Sequence, residues 1–124
     1  MNENYGDLVT LRELGMKSKN DYTTDQLIDE NLKNKDGESN LEVRKRMIEF
    51  IMEVLDNYEG KNIAIVSHGA SIKYFLQNYC QYNQETESLL YNGKIVCPKK
   101  LESPCLIKIL YRDKTIVSID GFIN

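Results

Sequence analysis

The stretch Asn62-Ile63-Ala64-Ile65-Val66-Ser67-His68-Gly69-Ala70-Ser71-Ile72-Lys73 decides the reading of the fold. Its first half, Ile63-Ala64-Ile65-Val66, is a continuous apolar run. That pattern predicts a central strand over Asn62–Ser67, covered on both faces. The second half, with Ile72, Phe75, Leu76 and Tyr79 on one side, predicts a helix from about Ala70 to Tyr79. A strand, a glycine turn and a helix in that order make half of a βαβ unit. His68 is the single histidine of the chain, and it falls at the junction. In an open α/β sheet, ligands bind in the crevice at the carboxyl ends of the strands. A helix that begins there directs free N–H groups and a partial positive charge outward, which suits an anion.

Outward from that point, Glu38 to Tyr58 reads as the clearest helix. Ser39 and Glu42 form a capping box. Leu41, Ile48, Ile51, Leu55 and Tyr58 make an apolar stripe, widened by Met47, Phe50 and Val54, and Gly60 ends the helix as a C′ residue. Further downstream, Asn83–Leu90 is expected to be a short helix. Asn92-Gly93 marks a turn, and Lys94–Cys97 a short strand. Cys105–Tyr111 and Thr115–Ile119, joined through Arg112-Asp113-Lys114, predict an antiparallel hairpin at a sheet edge. Residues 1–38 carry few apolar side chains, with a short helix expected over Thr24–Leu32, capped by Thr23 or Thr24.

At 124 residues the chain makes a single domain, 1–124, large enough for a core. Its net charge of −3 gives no basic footprint, so nucleic acid is not an expected partner. Residues 1–60 hold 14 acidic and 8 basic side chains, and residues 61–124 hold 5 and 8, a mild excess of positive charge in the half that contains His68. Scattered surface lysines are usually no more than solvated surface. No apolar run approaches the roughly 20 residues that span a bilayer, and the polar N-terminus shows no signal-peptide pattern. Cys80, Cys97 and Cys105 are odd in number and lack metal-type spacing, so they read as reduced, mostly buried thiols of a cytoplasmic protein.

The order Gly37-Glu38-Ser39, a helix containing Arg46, the Gly60 turn, then Ile65-Val66-Ser67-His68-Gly69 resembles the histidine phosphatase superfamily, the phosphoglycerate-mutase-like group. Members carry a Gly-Glu-Ser motif before a helix and a Ser-His-Gly motif after the next strand. Glu3-Asn4-Tyr5-Gly6-Asp7-Leu8 resembles the family's acidic segment, and Ser103-Pro104-Cys105-Leu106-Ile107 its penultimate strand. The resemblance implies a three-layer αβα fold and phosphomonoester hydrolysis through a phosphohistidine. Two histidines, two arginines and a carboxylic acid serve that reaction. The phosphatase branch fits better than the mutase branch.

This sequence departs from the family pattern. It has no Arg-His-Gly motif, and His68 matches the family's second histidine, which holds phosphoryl oxygens. The expectation is therefore an N-terminally incomplete domain that lacks its first strand and following helix, and with them the nucleophile. Such a chain is inactive by itself. The implied site is His68 with the Gly69 and Ala70 amides on the phosphoryl group and Glu3 as the acid, although family spacing places that acid at Asn2. Glu3 is otherwise a solvated terminal residue, and Glu13 a helix-surface charge. Glu38 is explained equally by the helix dipole, and Ser39 by its capping role. Arg46 is expected to pair with Glu42, Glu49 or Glu53 on the helix surface. Arg12 and Arg44 have no motif support as phosphate clamps. The expected partner is inorganic phosphate or a phosphorylated small molecule, with no metal, cofactor or membrane. Two alternatives stand beside this: a non-catalytic phosphate-binding module, and a remnant that forms homo-oligomers through an exposed sheet edge.

Overall fold

A computed structural model describes residues 19–33, 37–101 and 105–123. Its elements run α1 (Lys19–Ile28), α2 (Asn40–Asn57), α3 (Gly69–Gln77), β1 (Gln81–Asn83), β2 (Ser88–Tyr91), β3 (Lys94–Cys97), β4 (Cys105–Arg112) and β5 (Thr115–Ile123). Helices and small antiparallel sheets combine in a mixed α/β fold. One sheet has the order β1-β2-β3, and β4 pairs with β5 in a second.

α2 starts where its cap dictates. Ser39 takes extended backbone angles, φ −82° and ψ 165°, and its Oγ accepts the Glu42 N–H at 3.2 Å. At the far end the Tyr58 N–H reaches the Val54 carbonyl, and Gly60 adopts φ +78°, the left-handed conformation that suits glycine after a helix. The buried face is Val43, Met47 and Ile51, spaced four apart, with Ile48 and Leu55 packed beside them. Leu41, Phe50 and Tyr58, expected on the apolar face, are exposed. α2 packs against α3, which has 9 residues to α2's 18. Their contact reaches the first residue of α2, where Asn40 Nδ2 donates to Gln77 Oε1 at 2.7 Å.

α1 begins at Lys19 and ends at Ile28, earlier at both ends than the expected Thr24–Leu32. Thr23 and Thr24 lie inside the helix. Beyond Ile28 a turn takes over, in which Asp29 Oδ1 accepts the Asn31 N–H at 3.1 Å.

The helix expected at Asn83–Leu90 is a turn followed by β2. Asn83 Oδ1 accepts the N–H groups of Glu85 and Thr86 at 2.9 and 3.2 Å, a local bond that competes with helix formation. Both two-residue hairpin turns, β2–β3 and β4–β5, have their central residues at positive φ: Asn92 and Gly93 (51° and 81°), and Asp113 and Lys114 (53° and 61°). This is the handedness that matches the twist of two-residue hairpins. The β4–β5 hairpin therefore forms as the sequence predicts. β4 alternates half-buried Ile107 and Ile109 with exposed Leu106 and Leu110.

The main correction concerns residues 62–67. They form no strand and pair with no strand among the described residues. Val66 is 90% exposed and Ile65 41%. A strand is stable only when neighbouring chain satisfies its N–H and C=O groups. With no ladder at hand, the apolar run stays irregular despite its composition. No parallel pairing, and so no βαβ half-unit, occurs among the described residues.

One core holds both sheets and the helices together. It comprises Leu27, Val43, Met47, Ile51, Tyr74, Phe75, Leu76, Leu89, Val96, Cys97 and Ile119. β5 crosses β3 closely at Gly121, where a Cβ would lie 2.4 Å from the Val96 carbonyl oxygen.

Candidate functional site at the start of α3

His68 is the N-cap residue of α3. Its backbone is extended (φ −116°, ψ 157°), and its carbonyl accepts the Ile72 N–H at 2.9 Å. The side chain makes no capping bond, and the residue is exposed. The first-turn N–H groups of Gly69, Ala70 and Ser71 precede the first intrahelical bond. Gly69 is exposed, and a Cβ there would meet only Leu101 Cδ1, at 4.0 Å. His68, Gly69 and Ala70 are thus brought together by chain continuity and by the helix start. No strand end among the described residues flanks His68, because 62–67 form no strand. Clefts of about 470 and 560 Å³ lie elsewhere, both lined by Tyr82 and Gln84 and neither by His68. Glu3, Arg12 and Glu13 lie outside the described residues.

The cations near the site have other commitments. Lys73 Nζ donates to the Lys99 carbonyl at 2.6 Å, and burial holds its pKa below the ordinary lysine value. Lys99 pairs with Glu87. Arg46 pairs with Glu38, across the start of α2, rather than with Glu42, Glu49 or Glu53. Glu42 instead meets Lys33 at 2.7 Å, and that bond, with help from Ser39, lowers its pKa. The cysteines are free. Burial pushes the Cys80 thiol up to about 11 and the Cys97 thiol to about 12, which suits inert thiols. No group of three metal-ligating side chains occurs among the described residues, and no described helix is long and apolar enough to cross a membrane.

What holds α3 in place is a polar network that the sequence reading did not anticipate. Gln26 Nε2 donates to the carbonyls of Leu32 and Glu38 at 2.9 and 2.8 Å, and Gln26 Oε1 accepts the Tyr74 hydroxyl at 2.8 Å. Asn40 Nδ2 donates to the Gln26 carbonyl and to Gln77 Oε1 at 2.9 and 2.7 Å. Gln77 Nε2 donates to the Leu27 carbonyl. Arg44 joins Glu30, Asn40 and Gln77 at 2.7, 3.0 and 3.0 Å. Gln26, Asn40 and Tyr74 are fully buried. Tyr74 and Gln77 belong to α3, so the network ties the helix that His68 opens to both preceding helices. Its one sequence signal is that Asn40 begins a helix whose cap is already supplied by Ser39.

The decisive comparison is with protein families. The model of the histidine phosphatase superfamily (branch 1) matches residues 1–94. The chain belongs to the histidine phosphatase superfamily. The matched part contains both Gly37-Glu38-Ser39 and Ser67-His68-Gly69, the motifs that carried the resemblance, whereas the β4–β5 hairpin lies beyond it. No curated protein and no solved structure matches the chain.

Proposed function

We propose a phosphatase-like function in which His68 and the Gly69 and Ala70 amides bind a phosphoryl group. The ligand class is inorganic phosphate or a phosphorylated small molecule. The observation that carries this reading is the state of His68 in a chain of this superfamily. It opens a nine-residue helix, is exposed, and spends no side-chain bond on the helix end. An imidazole beside unbonded first-turn amides offers several donors to phosphoryl oxygens, within the positive field of the helix start.

The parent activity of this reading is phosphomonoester hydrolysis through a phosphohistidine, with Glu3 as the proton donor. The 124-residue polypeptide itself binds without turning over. Attack on phosphorus by one imidazole while another holds the oxygens needs two histidines, and the sequence contains one. The finer three-layer αβα architecture and a cytoplasmic setting belong to the same proposal.

Calorimetry with inorganic phosphate and with orthovanadate tests binding, and p-nitrophenyl phosphate tests turnover. The expected result is measurable heat that disappears in His68→Ala, with an unchanged unfolding midpoint and no hydrolysis above buffer. Absence of heat together with an unmoved His68 ring resonance would overturn the binding site. Hydrolysis that is lost in His68→Ala would overturn the inactivity.

A further inference from the structure

Residues 98–101 follow β3 and touch α3 at two points. Lys73 Nζ donates to the Lys99 carbonyl, and a Cβ on Gly69 would meet Leu101 Cδ1 at 4.0 Å. Lys100 lies between these contacts, one residue from the side chain that faces Gly69. It is the exception among the cations near α3. Lys73 is spent on a carbonyl and Lys99 on Glu87, whereas Lys100 is exposed and makes no ion pair among the described residues. Its ammonium sits on a flexible four-carbon stem, which lets it swing toward the helix start. A second observation bears on the same place. Ser71, the third residue of α3, is wholly buried, and its Oγ has no hydrogen-bond partner among the described residues. Helical side chains lean toward the N-terminus, and Ser71 comes three positions after His68, on the same face. Its hydroxyl is an unmet donor aimed at the helix start, where a buried polar group calls for a partner.

We propose that Lys100 completes the phosphoryl site at the start of α3, closing over an anion held by His68 and the Gly69 and Ala70 amides. The inference rests on the phosphoryl site proposed above and adds its charge selectivity. A helix start supplies only about half an elementary charge. A phosphomonoester dianion leaves most of its charge unmet there, and a full cation from the 98–101 segment meets it. A phosphodiester carries one charge and gains less from the same ammonium, so the site favours monoesters and inorganic phosphate.

Calorimetry at pH 8 compares phenyl phosphate, a monoester dianion, with dimethyl phosphate, a singly charged diester. The unmodified chain is expected to prefer phenyl phosphate. Lys100→Gln is expected to weaken phenyl phosphate about tenfold, the worth of one charge-assisted hydrogen bond. It weakens dimethyl phosphate far less, so the preference falls toward parity. Lys100→Arg is expected to keep the preference. Lys94→Gln removes the same charge at the first residue of β3 and is expected to change neither affinity. The unfolding midpoint stays the same in all of them, because both lysines are exposed. Phenyl phosphate is also expected to shield Lys100, and not Lys94, from acetylation read by mass spectrometry. If Lys100→Gln keeps both affinity and preference while His68→Ala loses binding, the role of Lys100 is overturned and the His68 site stands. An equal loss in Lys94→Gln reduces the effect to net charge and overturns it too. An unmodified chain that binds neither ester overturns both readings.

Discussion

Gln26→Leu is the sharpest test of how α3 is held. The side chain is fully buried and nearly isosteric with leucine, so the substitution removes polarity at almost constant volume. It deletes two donations, to the Leu32 and Glu38 carbonyls, and the acceptor for Tyr74 Oη. Three polar groups then lose a partner. A buried group left unsatisfied costs about 1–3 kcal/mol. The Leu32 carbonyl is near the surface and recovers part of its loss from water, so the expected total is about 3–5 kcal/mol. That is a large share of the ~5–15 kcal/mol that holds a typical domain folded. Pairing the substitution with Tyr74→Phe removes the hydroxyl that has lost its Gln26 acceptor. The double variant is then expected to be more stable than the sum of the single changes by about 1–2 kcal/mol. Urea unfolding followed by circular dichroism measures all four proteins, provided that m is unchanged. A loss below about 1 kcal/mol for Gln26→Leu, or strict additivity in the cycle, would refute the claim that this network anchors the helix.

Gly121→Ala forces a Cβ to within 2.4 Å of the Val96 carbonyl oxygen, a backbone atom that cannot step aside, and is expected to cost about 1–3 kcal/mol by thermal or urea unfolding. Ser39→Ala removes the acceptor of the Glu42 N–H and is expected to cost about 1 kcal/mol by the same assay. Cys97 keeps its proton to about pH 12 when folded, against about 9 in the open chain, so its contribution to stability is complete below pH 9 and falls as pH rises from there toward 12. Native-state alkylation at pH 8 is accordingly expected to spare Cys97 until the protein unfolds, as mass spectrometry of the labelled peptide can show.

The sequence by itself determined several elements whose signal is local, though not the turn that Asn83 closes with the Glu85 and Thr86 N–H groups. Ser39 and Glu42 mark the start of α2 within two residues, because a cap bond spans only three positions. Asn92-Gly93 and Asp113-Lys114 turn their hairpins with both central residues at positive φ, which Asn, Asp and Gly accept readily and Lys114 adopts at a cost. The paired Gly-Glu-Ser and Ser-His-Gly motifs carried the superfamily, and placed His68 at a helix start. Only the tertiary structure decided the rest. Ile63-Ala64-Ile65-Val66 is strand-like in composition, but a strand exists through its neighbours, and none among the described residues pairs with it. Leu41 and Phe50 fit the apolar stripe of α2, yet they stand off its buried line Val43-Met47-Ile51 and are exposed. Gln26, Asn40 and Tyr74 look like surface polarity until three helices converge and bury them as hydrogen-bond partners. Local bonding is written in adjacent residues, whereas ladders and buried networks depend on which distant parts of the chain meet.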